Sequence, residues 1–146
     1  MIRHLTERDE ALFCTLSDEF YHSDGVLHPV PKEHFRRAFS EMMRSRDYLD
    51  CCIIESGGEA AGYGLLVRSY SQEAGGVVVW LDELYIRPEF QSHGLGSEFF
   101  SYVFENYPAA RYRLEIEPDN DRARALYERL GFEALPYCQM IREEAD

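Results

Sequence analysis

The 146-residue sequence predicts an α/β (α+β) domain: a mixed, mostly antiparallel sheet with helices on both faces. Three observations lead there. Apolar and β-branched runs separated by turn residues recur through the middle of the chain, which is the pattern of sheet strands. Helix-period patterns flank them. A strand at 77–86 passes through a glycine loop into a helix and then into a second strand at 111–117, a unit that closes as a right-handed parallel crossover. A chain of this length buries enough surface for one core, so a single domain over 1–146 is expected.

The elements follow in order. Ile2-Arg3-His4 reads as a short strand. Thr6 with Asp9 three residues on resembles a variant capping box and opens a helix over 7–20. The loop 21–31 carries Gly25 and two prolines and is a candidate substrate-lining segment. Pro31 suits the start of a second helix over 32–46, where Phe35, Phe39, Met42 and Met43 recur at helical spacing as core residues. Strands at 48–55 and 59–70 are joined by Ser56-Gly57-Gly58, a hairpin turn that makes this part of the sheet antiparallel. The loop 71–76 leads into the strand 77–86, a helix spans 95–106, and Pro108 marks a break before the strand 111–117. Asn120 caps a further helix that Gly131 ends in the C′ role. Strand patterns at 132–135 and 137–141 close the chain.

The strand 77–86 ends in Gln91-Ser92-His93-Gly94-Leu95-Gly96-Ser97, and a helical pattern starts at once. Two glycines allow close backbone approach, and the first amides of a helix have no helical partners, so the loop is built to hold a phosphate or pyrophosphate. Spacing decides among phosphate loops. Ser97 and Glu98 stand where a Walker A loop needs Lys-Ser/Thr, so the spacing argues against nucleotide hydrolysis. Phe99 stands where a dinucleotide fingerprint needs a small residue. What remains, Gln-x-x-Gly-x-Gly after a strand, resembles the acetyl-CoA loop of the GCN5-related N-acetyltransferases, the GNAT superfamily. A second segment, Asn120-Asp121-Arg122-Ala123-Arg124-Ala125-Leu126-Tyr127-Glu128-Arg129-Leu130-Gly131-Phe132, resembles the family's Asn-x-x-Ala-x-x-x-Tyr-x-x-x-Gly-Phe helix at each marked position. The likeness is strong over the C-terminal half and one of layout over the N-terminal half.

The resemblance implies a GNAT fold, whose two central parallel strands splay apart, and acetyl-CoA as co-substrate. The backbone of Leu84, Tyr85 and Ile86 would pair with the pantetheine arm, and the loop Gln91, Ser92, His93, Gly94, Leu95, Gly96, Ser97 would hold the pyrophosphate with His93 at its border. Asn120 and Ala123 open the motif helix at positions that meet the cofactor in the family, although Asn120 also suits a pure helix cap. Ile86 N–H would stabilise the oxyanion, and Tyr127 would donate a proton to the leaving thiolate. An amine near pKa 10 is mostly protonated at neutral pH, so a proton acceptor is also needed. Asp82 and Glu83 are the candidates on the motif strand. Side chains alternate along a strand, so one of the two faces the cleft unless a bulge intervenes. The likeness to polyamine-type acetyltransferases points to Asp82, and alternation does not exclude Glu83.

Composition narrows the partners. A formal charge of −12 argues against nucleic acid, whose binding rests on lysine and arginine, and favours a cationic substrate by long-range attraction. Arg87, His93, Arg122 and Arg124 fall in the motif segments, where CoA phosphates would lie. No apolar run approaches the ~20 residues of a membrane span, and the polar N-terminus does not read as a secretory signal, so a cytoplasmic location is expected. The four cysteines lack Cys-x-x-Cys spacing and read as structural, and the five histidines lack paired ligand spacing, so no metal is expected. The acceptor region of the family, its first two helices and their connection, here offers Asp18, Glu19, Phe20, Tyr21, His22 and Asp24, which suits a small cationic amine. A protein lysine or N-terminal amine, a non-catalytic acyl-CoA sensor, and self-association as a homodimer stay open.

Overall fold

The computed structural model describes residues 1–145 except Gly25 and Leu27, so the Gly25 turn lies outside the described residues. The chain divides into two compact units, Met1–Leu114 and Glu115–Asp146.

The first unit holds a five-stranded sheet in the order β1-β2-β3-β4-β5. Its strands are β1 (Ile2–His4), β2 (Leu49–Ser56), β3 (Glu59–Ser71), β4 (Gly76–Ile86) and β5 (Arg111–Arg113), and its helices are α1 (Glu10–Tyr21), α2 (Lys32–Arg44) and α3 (Leu95–Asn106). Pairing is antiparallel from β1 to β4 and parallel between β4 and β5, as the hairpin turn and the crossover unit require. The capping box forms: Thr6 N–H donates to Asp9 Oδ2 at 2.8 Å, and a 3-10 turn at Glu7–Asp9 precedes α1. Arg3 also grips Asp9 with two N–H groups, holding its carboxyl down at about 2.

Helices cover both faces of this sheet. Phe13 and Leu16 of α1 and Phe35, Phe39 and Met42 of α2 pack on Cys51, Ile53, Tyr63 and Leu65, the odd-numbered residues of β2 and β3. On the opposite face Phe99 of α3 sits against Gly64, where an added Cβ would come within 2.0 Å of the ring. Gly62 is as confined, since its Cβ would meet the Tyr85 carbonyl oxygen at 1.9 Å. These two glycines let β3 approach β4 and α3 closely, and the tyrosine between them turns to the α1 face.

The second unit holds α4 (Asp121–Arg129). Two expectations fail at this end of the chain. The strand expected over 111–117 is assigned only at Arg111–Arg113, and the expected strands at 132–135 and 137–141 do not form. Strand identity needs a partner edge for its N–H and C=O groups as well as a side-chain pattern. Tyr137, Met140 and Ile141 have the pattern, yet they are 63%, 95% and 84% exposed.

Candidate active site

The site in the first unit is built along β4. β5 pairs only with Val78, Val79 and Trp80, so beyond Trp80 that edge of β4 has no strand partner among the described residues. The parallel pair therefore parts toward the C-terminal end of β4. Arg87 N–H donates to the Ala61 carbonyl at 2.8 Å, toward β3. Backbone groups alternate in direction along a strand, so Ile86 and Leu84 aim at the open edge while Tyr85 is turned to β3. Of the three residues expected to meet a pantetheine arm, Leu84 and Ile86 present their backbone groups to the open edge and Tyr85 presents its own to β3.

The register of β3 on β4 slips by one residue: Leu66 pairs with Leu81, and Leu65 with Glu83. Asp82 is the extra residue of a β-bulge. Without it Glu83 would share the α3 face with Leu81. With it, Glu83 turns to the α1 face and Asp82 stays exposed. The sequence offered both carboxylates, and the bulge separates their environments.

Glu83 is held from two elements. Tyr21, the last residue of α1, donates to its Oε2 at 2.5 Å, and Tyr63 of β3 donates to its Oε1 at 2.6 Å. Phe20, Tyr21, Tyr63 and Tyr85 pack edge-on or tilted around this point. Burial pushes the Glu83 carboxyl above the usual carboxylate range, more than the two hydroxyls pull it back, and Asp82 adds to the rise. A base tuned upward toward neutrality is a better proton acceptor for an amine.

After a 3-10 turn at Pro88–Phe90, the loop is pinned by its own side chains. Gln91 Nε2 donates to the Ile86 carbonyl at 2.9 Å, and His93 Nδ1 lies 3.1 Å from the Phe90 carbonyl. Ser92 has φ 65° and Gly94, the N-cap of α3, has φ 79°. A serine in the left-handed region is strained, and such strain collects where a backbone must present its amides. The loop amides and those of the first turn of α3, Leu95, Gly96 and Ser97, lie at the positive end of the helix dipole, where an anion is favoured. A Cβ at Gly96 would find its nearest atom, Leu84 Cδ2, 3.9 Å away.

Arg87 does not join this loop. Its guanidinium grips Glu19 of α1, with Nε and one Nη at 3.0 and 2.9 Å, and its other Nη donates to the Ala60 carbonyl. Tyr85 donates to the same Glu19 carboxylate at 3.1 Å. Arg87 and Glu19, expected near the phosphates and an acceptor cation, are paired with each other in this structure. His22 Nδ1 lies 2.7 Å from the Asp18 carbonyl, closing the end of α1.

In the second unit, Asn120 Oδ1 accepts from Ala123 N–H at 3.1 Å, so the asparagine is a helix cap and Ala123 serves it. Gly131 has φ 96°; its N–H donates to the Glu128 carbonyl, and Phe132 N–H donates to the Tyr127 carbonyl at 2.9 Å. This is a Schellman motif, with its apolar contact supplied by the Tyr127 and Phe132 rings at 6.1 Å. Gly131 and Phe132 thus fix the ring of Tyr127. Burial raises the Tyr127 phenol above its ordinary value, so it stays protonated near neutral pH and can act as a donor.

Residues 10–132 match the acetyltransferase (GNAT) family. The chain belongs to that family. Its acetyltransferase relatives include thialysine N-epsilon-acetyltransferase of Bos taurus, 35% identical over 77 residues, 51% of this chain and 45% of the relative. The Mus musculus enzyme of the same name is 32% identical over 91 residues, 57% of this chain and 53% of the relative. The chain thus matches about half the length of these relatives. Among solved structures, a possible acetyltransferase from Clostridium difficile 630 superposes with TM-score 0.82 at 15% identity, covering 100% of this chain and 98% of that one. The structure of AAC(6')-Iy in complex with the bisubstrate analog CoA-S-monomethyl-acetylneamine gives TM-score 0.80 at 18% identity, covering 99% and 98%. At these identities the likeness is one of GNAT fold.

Two features escaped the sequence. Tyr63 as a partner of Glu83 carried one signal, the flanking Gly62 and Gly64, since glycines inside a strand mark close approach. The other is a polar cluster on the α3 face. Asp50, 4% exposed, accepts from the Tyr107 hydroxyl at 2.7 Å and from Cys51 N–H at 2.9 Å, with Arg46 and Arg68 within 4 Å. Nothing in sequence spacing joins residues 50 and 107.

Proposed function

We propose that this chain moves an acetyl group from acetyl-CoA to a small cationic primary amine, by direct attack in a ternary complex with Glu83 as the base. The observation that carries this reading is the placing of one raised, half-buried carboxylate on the strand that runs into the phosphate loop. The names of the bovine and mouse relatives, which specify the Nε of thialysine, support a small amine. The −12 charge supports a cation. The four free cysteines accord with work in the reducing cytoplasm.

Each role follows from local chemistry. The loop 91–97 holds the pyrophosphate of acetyl-CoA, and the open edge of Leu84 and Ile86 takes its extended arm as an added strand. Glu83 accepts the proton that the bound ammonium must lose, directly or through a water. Freed of that proton, the nitrogen lone pair attacks the thioester carbonyl, and Ile86 N–H faces the oxygen on which charge develops. Tyr127 is the proposed donor to the departing thiolate, and the second proton, which the nitrogen sheds on becoming an amide, passes through solvent and restores the phenol. No acyl-cysteine step is needed, and burial pushes Cys52 up to about 11 and Cys51 well above its ordinary value, which suits neither to nucleophilic attack.

A CoA-release screen across polyamines, aminoglycosides, amino acids and basic peptides tests the acceptor. Turnover is expected to be highest with small amines that carry a second positive charge. A preference for neutral or anionic amines removes the charge argument, and a preference for basic peptides moves the acceptor to a protein lysine or N-terminus. Tyr127→Phe tests the acid. Its ring still fills the Phe132 contact, so acetyl-CoA affinity is expected to hold while kcat falls by about ten- to a thousandfold. An unchanged kcat at saturating substrates refutes the donor role.

A further inference from the structure

We propose that Tyr21 and Tyr63 are positioning residues for the base, two hydroxyls that fix both carboxylate oxygens of Glu83 and keep it a proton acceptor. The inference rests on the reading of Glu83 as the base. Its evidence is geometric: one donor arrives from α1 and one from β3, at 2.5 and 2.6 Å, one on each oxygen.

A phenol hydroxyl has one proton to donate. Burial and the adjacent Glu83 push both tyrosines above their ordinary value, so both hydroxyls keep that proton. With two donors aimed at it, Glu83 meets both only as a carboxylate. Were Glu83 protonated, one of its oxygens would carry a hydrogen of its own, and that oxygen would be a poorer acceptor for the hydroxyl facing it. The pair therefore opposes the burial that favours the neutral acid. The other titratable groups that face Glu83 act the other way or weakly: Asp82 on its own strand and the buried Cys51 thiol on β2. Ser17 of α1 lies at the Tyr63 hydroxyl, and α2 contributes the Phe35 ring against Tyr21. Beyond Tyr85, the Glu19 and Arg87 charges cancel each other.

The arrangement also ties the base to the acceptor side. Tyr21 ends α1 where the connection 22–31 begins, so the segment expected to line the acceptor and the carboxylate that deprotonates it share one hydrogen bond.

The test uses Tyr21→Phe, Tyr63→Phe and the double variant, which keep the rings and delete the hydroxyls. The first readout is carbon-13 NMR titration of the glutamate carboxyls in the ligand-free chain, with the Glu83 resonance assigned by its loss in Glu83→Gln. The Glu83 midpoint is expected to move to higher pH in each single variant and further in the double. The second readout is kcat/KM against pH. On the acid side it is expected to fall by about tenfold per hydroxyl removed, as for a lost hydrogen bond to a charged group, while the alkaline plateau recovers to near the parent value. A Glu83 midpoint unmoved in both single variants overturns the proposal, and so does a loss of activity that is uniform across pH. Failure of the underlying reading looks different: Glu83→Gln would then retain the acid limb, whatever the titration shows.

Discussion

Glu83→Gln is expected to lower kcat by about a hundredfold to ten-thousandfold, the range of a general base removed from its proton. The substitution keeps the shape of the side chain. Its carbonyl oxygen still accepts from one tyrosine, while its NH2 group turns a second donor toward the other hydroxyl, which must rotate to accept. The acid limb of the rate profile should vanish with the carboxyl. Asp82→Asn, measured alongside, should keep that limb and move it to lower pH, because Asp82 is exposed and its charge adds to the rise of the Glu83 carboxyl. The opposite result, with the limb lost in Asp82→Asn and kept in Glu83→Gln, transfers the base to Asp82.

The same substitution has a stability signature of known sign. A carboxyl whose value is raised on folding binds its proton more tightly in the native state. Native stability therefore falls as pH rises from the ordinary carboxylate value through the raised one. Glu83 is such a group. Glu83→Gln should match the parent in thermal stability at acid pH and be at least as stable near neutrality. A variant that loses both activity and stability at neutral pH would indicate structural damage instead of a missing base.

Much of the fold was legible because its signals are local. The capping box at Thr6 and Asp9, the Ser56-Gly57-Gly58 turn, the helix Leu95–Asn106 and the Asn120 cap with its Gly131 stop each lie within a few residues of chain. The glycine loop that opens α3 belongs with them as a structure, since Gly94 and the helix start define it. What the sequence left open depends on pairing at a distance. A single extra residue at Asp82 inverts which carboxylate faces α1, and no period in the strand betrays it. Arg87 lies among the motif residues, yet its partner is Glu19, 68 positions earlier. The strand pattern after Arg113 and the apolar residues from Tyr137 to Ile141 are present, but strand formation depends on an available edge, which side-chain pattern does not encode.

Gly96→Glu should leave the domain folded and lower acetyl-CoA affinity by about a hundredfold or more, the equivalent of one or two charge-assisted amide contacts. Gly96 is the better of the two loop glycines to change. At Gly94 the positive φ penalises any side chain, by about 1–2 kcal/mol, so a binding defect there would mix strain with lost recognition. At Gly96 the added Cβ makes only an ordinary van der Waals contact, 3.9 Å from Leu84 Cδ2, and a carboxylate in the first turn of α3 suits the helix dipole, so stability should hold or rise slightly. The same carboxylate occupies the ground of the phosphate oxygens and repels them. Gly96→Ala supplies the control: it adds the Cβ without charge or reach, and should bind acetyl-CoA within a few-fold of the parent. Calorimetric titration with acetyl-CoA, paired with thermal melts, decides the matter. If Gly96→Glu stays folded and binds as tightly as the parent, the loop is not the pyrophosphate site.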